Sequence, residues 1–404
     1  MRAPNQEVAI AVMGATGSGK TSSSSSTSYP KLLPTEHKMR APNQEVAIAV
    51  MGATGSGKTT FINLASGSRL RVGRGLQSCT GTIQVAQPFQ LDGRSVTLID
   101  TPGFDDTTRS DTDILKMIAQ YLAVAYQNKH RLHGVIYIHR ISDNRLGGVS
   151  RRNFKMFREL CGDTSLKNVI IATNMWGEVD LSVGEAREAE LAREDMFFKP
   201  VLEKGAQLLR HENTLASAQA LLRTILDNHP IPLRIQHELI DERKNIAQTA
   251  AGEELNREFI EQERKHREEM AVLKQEMQEA IQARDHETRK ELEEEQRKLE
   301  KEMARVHQDS QKLASNYNEE KARLEERLQE VSQRSKQEAD RAAAEHHRRI
   351  HDLETKLDAA SNASAQEKEA MRREMNDLRS RVSAPKGGFF SNLGRAIDGL
   401  FGMA

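Results

Sequence analysis

Gly52-Ala53-Thr54-Gly55-Ser56-Gly57-Lys58-Thr59 follows directly on an apolar run at 46–50 and fits the G-x-x-x-x-G-K-[ST] pattern without a gap. Such a spacing does one kind of chemistry. Glycines let the backbone curl until successive N–H groups of Gly52, Ala53, Thr54, Gly55, Ser56, Gly57, Lys58, Thr59 and Thr60 converge on an anion at the start of a helix. Lys58 then reaches the outer phosphates of a polyphosphate as a catalytic cation, and the Thr59 hydroxyl holds magnesium.

A second motif narrows the chemistry. Leu98-Ile99-Asp100-Thr101-Pro102-Gly103 is an apolar strand that delivers an aspartate and then a glycine turn. Asp100 at the strand end is expected to hold magnesium through water, and the Gly103 N–H to contact the terminal phosphate and feel its loss on hydrolysis. Between the two motifs lies Ser78-Cys79-Thr80-Gly81-Thr82. Thr80 is the choice for closing over the metal and the terminal phosphate, as metal ligand and catalytic group, with Thr82 in reserve.

GATGSGKT, SCT and DTPGFDDT, in this order and spacing, resemble the translation-factor-related class of P-loop GTPases, near the septins and the immunity-associated GTPases. The nearest likeness is to the fungal-type G-domain proteins with a C-terminal coiled coil. The resemblance covers roughly 45–228. It implies binding of GTP and Mg2+, a mostly parallel six-stranded sheet with an antiparallel second strand, and a homodimer formed through the nucleotide face, the coiled coil or both.

Two departures limit what is inherited. GTPases of this class read guanine with an Asn/Thr-Lys-x-Asp motif, and here Asn174 stands first in Asn174-Met175-Trp176-Gly177, with methionine for the lysine and glycine for the aspartate. Glu178 or Asp180 is a substitute carboxylate, and Trp176 a candidate to stack on the base. Phe104 occupies the place of the glutamine that orients the attacking water, so hydrolysis is expected to be slow alone and faster with a second subunit or partner. Arg140 and Arg145 are candidates for such a contribution in trans.

The elements that must position these residues are readable by pattern. Apolar runs at 46–51, 82–89, 95–99, 134–139, 169–173 and 206–210 alternate with helical stretches at 59–65, 111–126, 150–160, 184–204 and 215–226, which is the signature of an α/β sheet covered on both faces. The second and third strands are joined by Leu91-Asp92-Gly93-Arg94, a hairpin turn that makes them antiparallel. The organisation that follows is a G domain at 39–230, a coiled coil at 231–384 and an amphipathic tail at 385–404.

Residues 1–21 repeat word for word as 39–59. The first copy runs into Ser22–Ser26 and then Pro30 and Pro34, so it has no helix to present to a phosphate. Residues 1–38 are therefore expected to be a disordered extension that duplicates the loop segment, with Met39 as the effective start and one working site.

After Pro232 the chain is dominated by Glu, Lys, Arg, Gln and Ala. Leu292, Leu299, Val306 and Leu313 lie seven apart, and 353–382 resumes a three-four spacing, the pattern of a coiled coil with a patchy seam. If continuous it would extend roughly 200 Å. In GGFFSNLGRAIDGLFGMA, Phe389, Phe390, Leu393, Ile397, Leu400 and Phe401 share one helical face, which makes the tail a candidate for peripheral membrane or protein contact independent of the nucleotide site.

Composition bounds the rest. Charged residues make up 29% and aromatics 4% of 404 residues, too polar an average for a wholly globular chain. Zero formal net charge gives no whole-chain attraction for nucleic acid. Two cysteines suit a reducing compartment, and with no apolar run of membrane-spanning length the expectation is a cytoplasmic protein. The rival to a slow GTPase is a nucleotide-binding coiled-coil scaffold without turnover. A small-molecule kinase shares the phosphate loop but not Asp-Thr-Pro-Gly.

Overall fold

Val46–Gly52 is apolar or small at every position and buried at every position, as a strand must be when helices cover both faces of its sheet. This is β1, the central strand of the computed structural model, which describes residues 45–72, 81–104, 109–143, 148–282, 286–314, 317–359, 365–383 and 388–401. All of these belong to one compact unit. The expected disorder of 1–38 and the positions Thr80 and Arg145 lie outside the described residues.

The elements in order are β1, α1 (Lys58–Ser66), β2 (Gln84–Val85), β3 (Phe89–Leu91), β4 (Arg94–Asp100), α2 (Asp111–Gln127), β5 (Gly134–Arg140), α3 (Gly148–Cys161), β6 (Val169–Asn174), α4 (Leu181–Arg193), α5 (Lys199–Leu202), β7 (Gln207–Arg210), α6 (Leu215–Leu226), α7 (Arg234–Ile240), α8 (Ala250–Gln282), α9 (His286–Ala314), α10 (Tyr317–Ala359), α11 (Ala365–Ser383) and α12 (Phe389–Phe401). The sheet runs β2-β4-β1-β5-β6-β7, parallel except for β2 and β3, which both pair antiparallel with β4. Asp92 and Gly93, with φ of 49° and 78°, form the tight turn expected between β3 and β4.

Two expectations are corrected in detail. The second strand is interrupted, which makes a seven-stranded sheet in place of six: Ala86 still donates to Leu98, but Pro88 has no N–H and the Gln87 amide turns to Ser68. The helix expected over 184–204 ends at Arg193 and resumes only at Lys199, because Pro200 belongs in the first turn of a helix and not its interior. One sheet face packs on α1 and α6, and the other carries α2 and α3.

The helical region is not a rod. In α8 and α9, Asn256 meets Ser310, Glu263 meets His307 and His266 meets Glu302, so numbers rise along one helix as they fall along the other. The pair is antiparallel. Its apolar seam, with Leu255, Phe259, Leu292, Leu299 and Leu313 buried, closes within the chain. The ends of α9 and α10 lie on α2, where Thr112 donates to the Asp309 carbonyl and Gln120 to Glu320.

The apolar face expected of the tail is covered within the chain: α12 packs on α2, β2 and α10, and its Phe390, Leu393 and Ile397 are fully buried. Burial of each such side chain stabilises by about 1.5–3 kcal/mol.

Burial also fixes a pH dependence. His139 on β5 packs edge-on against Phe198, and His211 packs against Phe61; burial pulls both imidazoles down to about 4. The unfolded chain takes up these protons near pH 6.5 and the folded chain does not, so stability is lost as pH falls from 6.5 towards 4, by about 1.4 kcal/mol per pH unit per group. Asp100, raised by burial to about 6, works in the opposite direction below pH 6 and offsets one of the two. The melting temperature should fall between pH 6.5 and 4 in thermal denaturation. His139→Gln should flatten that slope, and an unchanged slope would mean that His139 is already protonated in the fold.

Candidate functional site

The strand ends of β1 and β4 bring the two motifs together. Thr59 donates to Asp100 Oδ2 at 2.6 Å, so the metal-site pair expected from sequence is in contact and buried. Asp100 Oδ1 and Ser56 Oγ are buried with no hydrogen-bond partner. An orphaned carboxylate oxygen beside a threonine hydroxyl fits Mg2+, which takes one or two protein oxygens and fills the rest with water and phosphate. Among the described residues there is no cluster of three or more His, Cys, Asp or Glu that would hold a metal without such help. Burial pushes the Asp100 carboxyl up to about 6, against the pull of the Lys58 ammonium and the Thr59 hydrogen bond, and a bound cation would restore the carboxylate.

The phosphate loop is shaped by what surrounds it. Lys58 Nζ donates to the carbonyls of Gly52 and Ala53 at 3.1 and 2.9 Å, and so lies across the loop. α1 begins at Lys58 with Gly57 at its cap, no capping side chain and no acid in its first turn, which leaves its N-terminal N–H groups to an anion. Gly57 has φ of 95°, and a Cβ there would lie 2.5 Å from Asn174 Nδ2. Neither the conformation nor the space admits a side chain.

Gly103 meets the loop from the other side. A Cβ on it would lie 2.5 Å from the Thr54 amide nitrogen, and Thr54 N–H donates to the Phe104 carbonyl at 3.2 Å. The residue after the glycine is a core side chain: Phe104 is 1% exposed and belongs to the cluster beneath α2. It is an anchor for the turn and presents no polar group to a water.

Asn174, assigned to the ligand from sequence, also bonds the loop. At the end of β6 its Nδ2 donates to the Ser56 carbonyl at 3.0 Å and its Oδ1 accepts from the Met175 amide. It braces the phosphate loop. Arg140, at the end of β5, reaches the loop as well, with Nη1 3.5 Å from where a Gly55 Cβ would be and Nε 3.0 Å from Asp143.

A cavity of about 630 Å3 opens beside the loop, lined by Gly57 and Thr60 on one side and by Asn174, Trp176, Glu178, His211, Glu212 and Asn213 among others. Trp176 is fixed at its wall by Nε1 bonds to Thr173, by Gly184 beneath the ring and by the Arg210 guanidinium 4.2 Å from the ring centre, so it is not free to swing over a base. Of the two expected carboxylates, Glu178 lines the cavity and Asp180 does not.

No motif in the sequence singles out the segment 211–213. It follows β7, which lies beside β6, and the His211 amide donates to the Thr173 carbonyl while the Glu212 amide donates to Ser217 Oγ. The one sequence signal is position, since loops at the C-terminal edge of a parallel sheet carry ligands.

Residues 47–174 match the family profile described as 50S ribosome-binding GTPase, and the architecture is a P-loop GTPase G domain followed by a long helical region. No curated protein sequence matches the chain. Among solved structures, Toc33 from Arabidopsis thaliana in complex with Mg2+ and GMPPNP is 15% identical, with TM-score 0.36 over 45% of this chain and 83% of that one. The G domain of the T. maritima FeoB iron transporter is 19% identical, with TM-score 0.29 over 46% and 98%. A point variant of Era from Aquifex aeolicus, bound to GDP and AlF4-, is 13% identical, with TM-score 0.35 over 46% and 57%.

Asn174→Ala should leave the buried Ser56 carbonyl unpaired at a cost of about 1–3 kcal/mol. A loss of nucleotide affinity of about five- to hundredfold in an equilibrium titration is the expected result, and wild-type affinity would show that the loop does not need the brace.

Proposed function

We propose that the chain binds GTP with Mg2+, hydrolyses it slowly, and works as a nucleotide-dependent switch or assembly module whose turnover rises with dimerisation or a partner. The observation that carries this is the contact of Thr59 with Asp100 beside the unpaired Asp100 Oδ1, with Gly103 pressed on the phosphate loop. Thr59 and Asp100 would hold the metal. Backbone N–H groups of the 52–60 segment, with that of Thr54 committed to the Phe104 carbonyl, and the Lys58 ammonium would bind the phosphates, and Gly103 would register the terminal one. Mg2+ supplies neutralisation of phosphate charge when bound.

Guanine needs an acceptor for its N1–H and exocyclic N–H groups. Glu178 and Glu212 supply carboxylates at the cavity, in place of the aspartate that Gly177 lacks. In hydrolysis, water attacks the γ-phosphorus, its bond to the bridging oxygen breaks, and phosphate leaves GDP. Thr80 closes over the metal and terminal phosphate in this reading. Phe104 cannot orient the water, and Arg145, with Arg140 already at the loop, supplies charge from a second subunit.

The G domain at 39–230, a helical region at 231–384 that folds back on the G domain and leaves dimerisation to the nucleotide face, and a tail at 385–404 with a peripheral role at a membrane or protein complete the reading. Among the described residues no helix is long and apolar enough to cross a membrane, and we place the protein in the cytoplasm. A second reading, a nucleotide-binding scaffold without turnover, is favoured by the burial of Phe104 where a polar group would serve catalysis.

Lys58→Ala should abolish nucleotide binding while Lys20→Ala changes nothing, and Glu178→Gln and Glu212→Gln, titrated against GTP, GDP, ATP and XTP, identify the guanine acceptor by a loss of about tenfold or more for GTP. Tighter binding of ATP than GTP by the wild type overturns the base assignment. Single-turnover hydrolysis that accelerates with protein concentration supports the switch, and no phosphate release at any concentration leaves the scaffold.

A further inference from the structure

The last helix of the chain touches both elements that follow the phosphate-site motifs. On one side the Phe390 ring stacks on Tyr121 of α2, and Phe389 stacks on His130 just beyond it, with ring centres 6.5 and 3.9 Å apart. On the other, Thr82 Oγ1 donates to Asp398 at 2.8 Å, and Gly394 lies so close to Val85 that a Cβ would be 2.7 Å from its Cγ2. β2 is the strand next to the metal site: Gln84 pairs with Asp100 and Val85 with Ile99. From α12 to the metal-site carboxylate is one strand.

A cavity of about 600 Å3 lies between α12, β2 and the 67–70 segment, so the groove that holds the helix is open beside the strand it grips. Gly394 and Gly399 weaken α12 as an isolated helix, which makes its order depend on the dock. The hydrogen bond runs from the Thr82 hydroxyl to an exposed residue, Asp398, and so ties Thr82, the reserve candidate for closing over the metal, to α12.

We propose that α12 is an intramolecular latch on β2, docked when the site lacks a magnesium triphosphate and released when one binds. This rests on the nucleotide reading above. Loading the site draws the chain around Thr82 towards Asp100, the grip of Asp398 and Gly394 on Thr82 and Val85 is lost, and α12 leaves the groove with its apolar face exposed. Because coupling between two sites is reciprocal, the docked helix must weaken triphosphate binding by the factor that triphosphate weakens docking.

Hydrogen exchange of 389–401 in the full chain tests this, with GDP and with a non-hydrolysable GTP analogue plus Mg2+. Exchange about fivefold or more faster with the analogue is expected. Asp398→Ala, at a solvent-exposed position, should tighten analogue binding about fivefold or more and leave GDP binding unchanged. Demonstrated binding of both nucleotides with identical exchange in α12, or an unchanged analogue affinity in Asp398→Ala, overturns the latch and leaves the nucleotide reading standing. Failure of either nucleotide to bind overturns that reading and the latch with it.

Discussion

A loop that turns its backbone N–H groups towards an anion has to find partners elsewhere for its carbonyl oxygens, and in this chain the search for those partners assembles the site. Gly52 and Ala53 carbonyls accept from Lys58, and the Ser56 carbonyl accepts from Asn174. The Thr54 amide donates to the Phe104 carbonyl. Each partner comes from a different element, so the order of the sheet is what makes the loop satisfiable. β1 must sit between β4, which leads to Phe104, and β5, beyond which β6 delivers Asn174. The buried amides and carbonyls of the loop would otherwise each cost about 1–3 kcal/mol.

The same arrangement explains why the motif departures need not dismantle the site. Met175 and Gly177 remove the lysine and aspartate of a guanine motif but leave Asn174, which bonds the loop and lines the cavity beside it. The cavity beside the loop is bounded from the next strand, where the His211 amide donates to Thr173 and Glu212 and Asn213 line the wall. Phe104 puts an apolar side chain in the core, an anchor that holds Gly103 against Thr54.

What can be read from sequence follows the range of the interaction. The phosphate loop, Asp100-Thr101-Pro102-Gly103 and the Asp92-Gly93 hairpin are local, and each is legible because a few consecutive residues determine the geometry. Strand and helix ends are legible to within a few positions except at Pro88 and Pro200, where the missing N–H breaks an element that hydrophobicity alone would continue. Glu212 and Asn213 are invisible because their role depends on β7 lying beside β6, a fact of topology and not of spacing.

The helical region shows the limit of periodicity as evidence. A seven-residue repeat of leucines says that one face of a helix is buried; it does not say against what. The spacing of Leu292, Leu299, Val306 and Leu313 predicts a seam for a second chain in a long rod, and the face is covered by α8 and α2 of the same chain. The tail obeys the same logic. Its Phe390, Leu393 and Ile397 stripe is as suited to a bilayer as to a groove, and the groove prevails here because α2 and α10 offer apolar surface within the same molecule, where no association entropy is lost. An amphipathic helix that is satisfied intramolecularly presents its apolar face to another surface only when the intramolecular contact is given up.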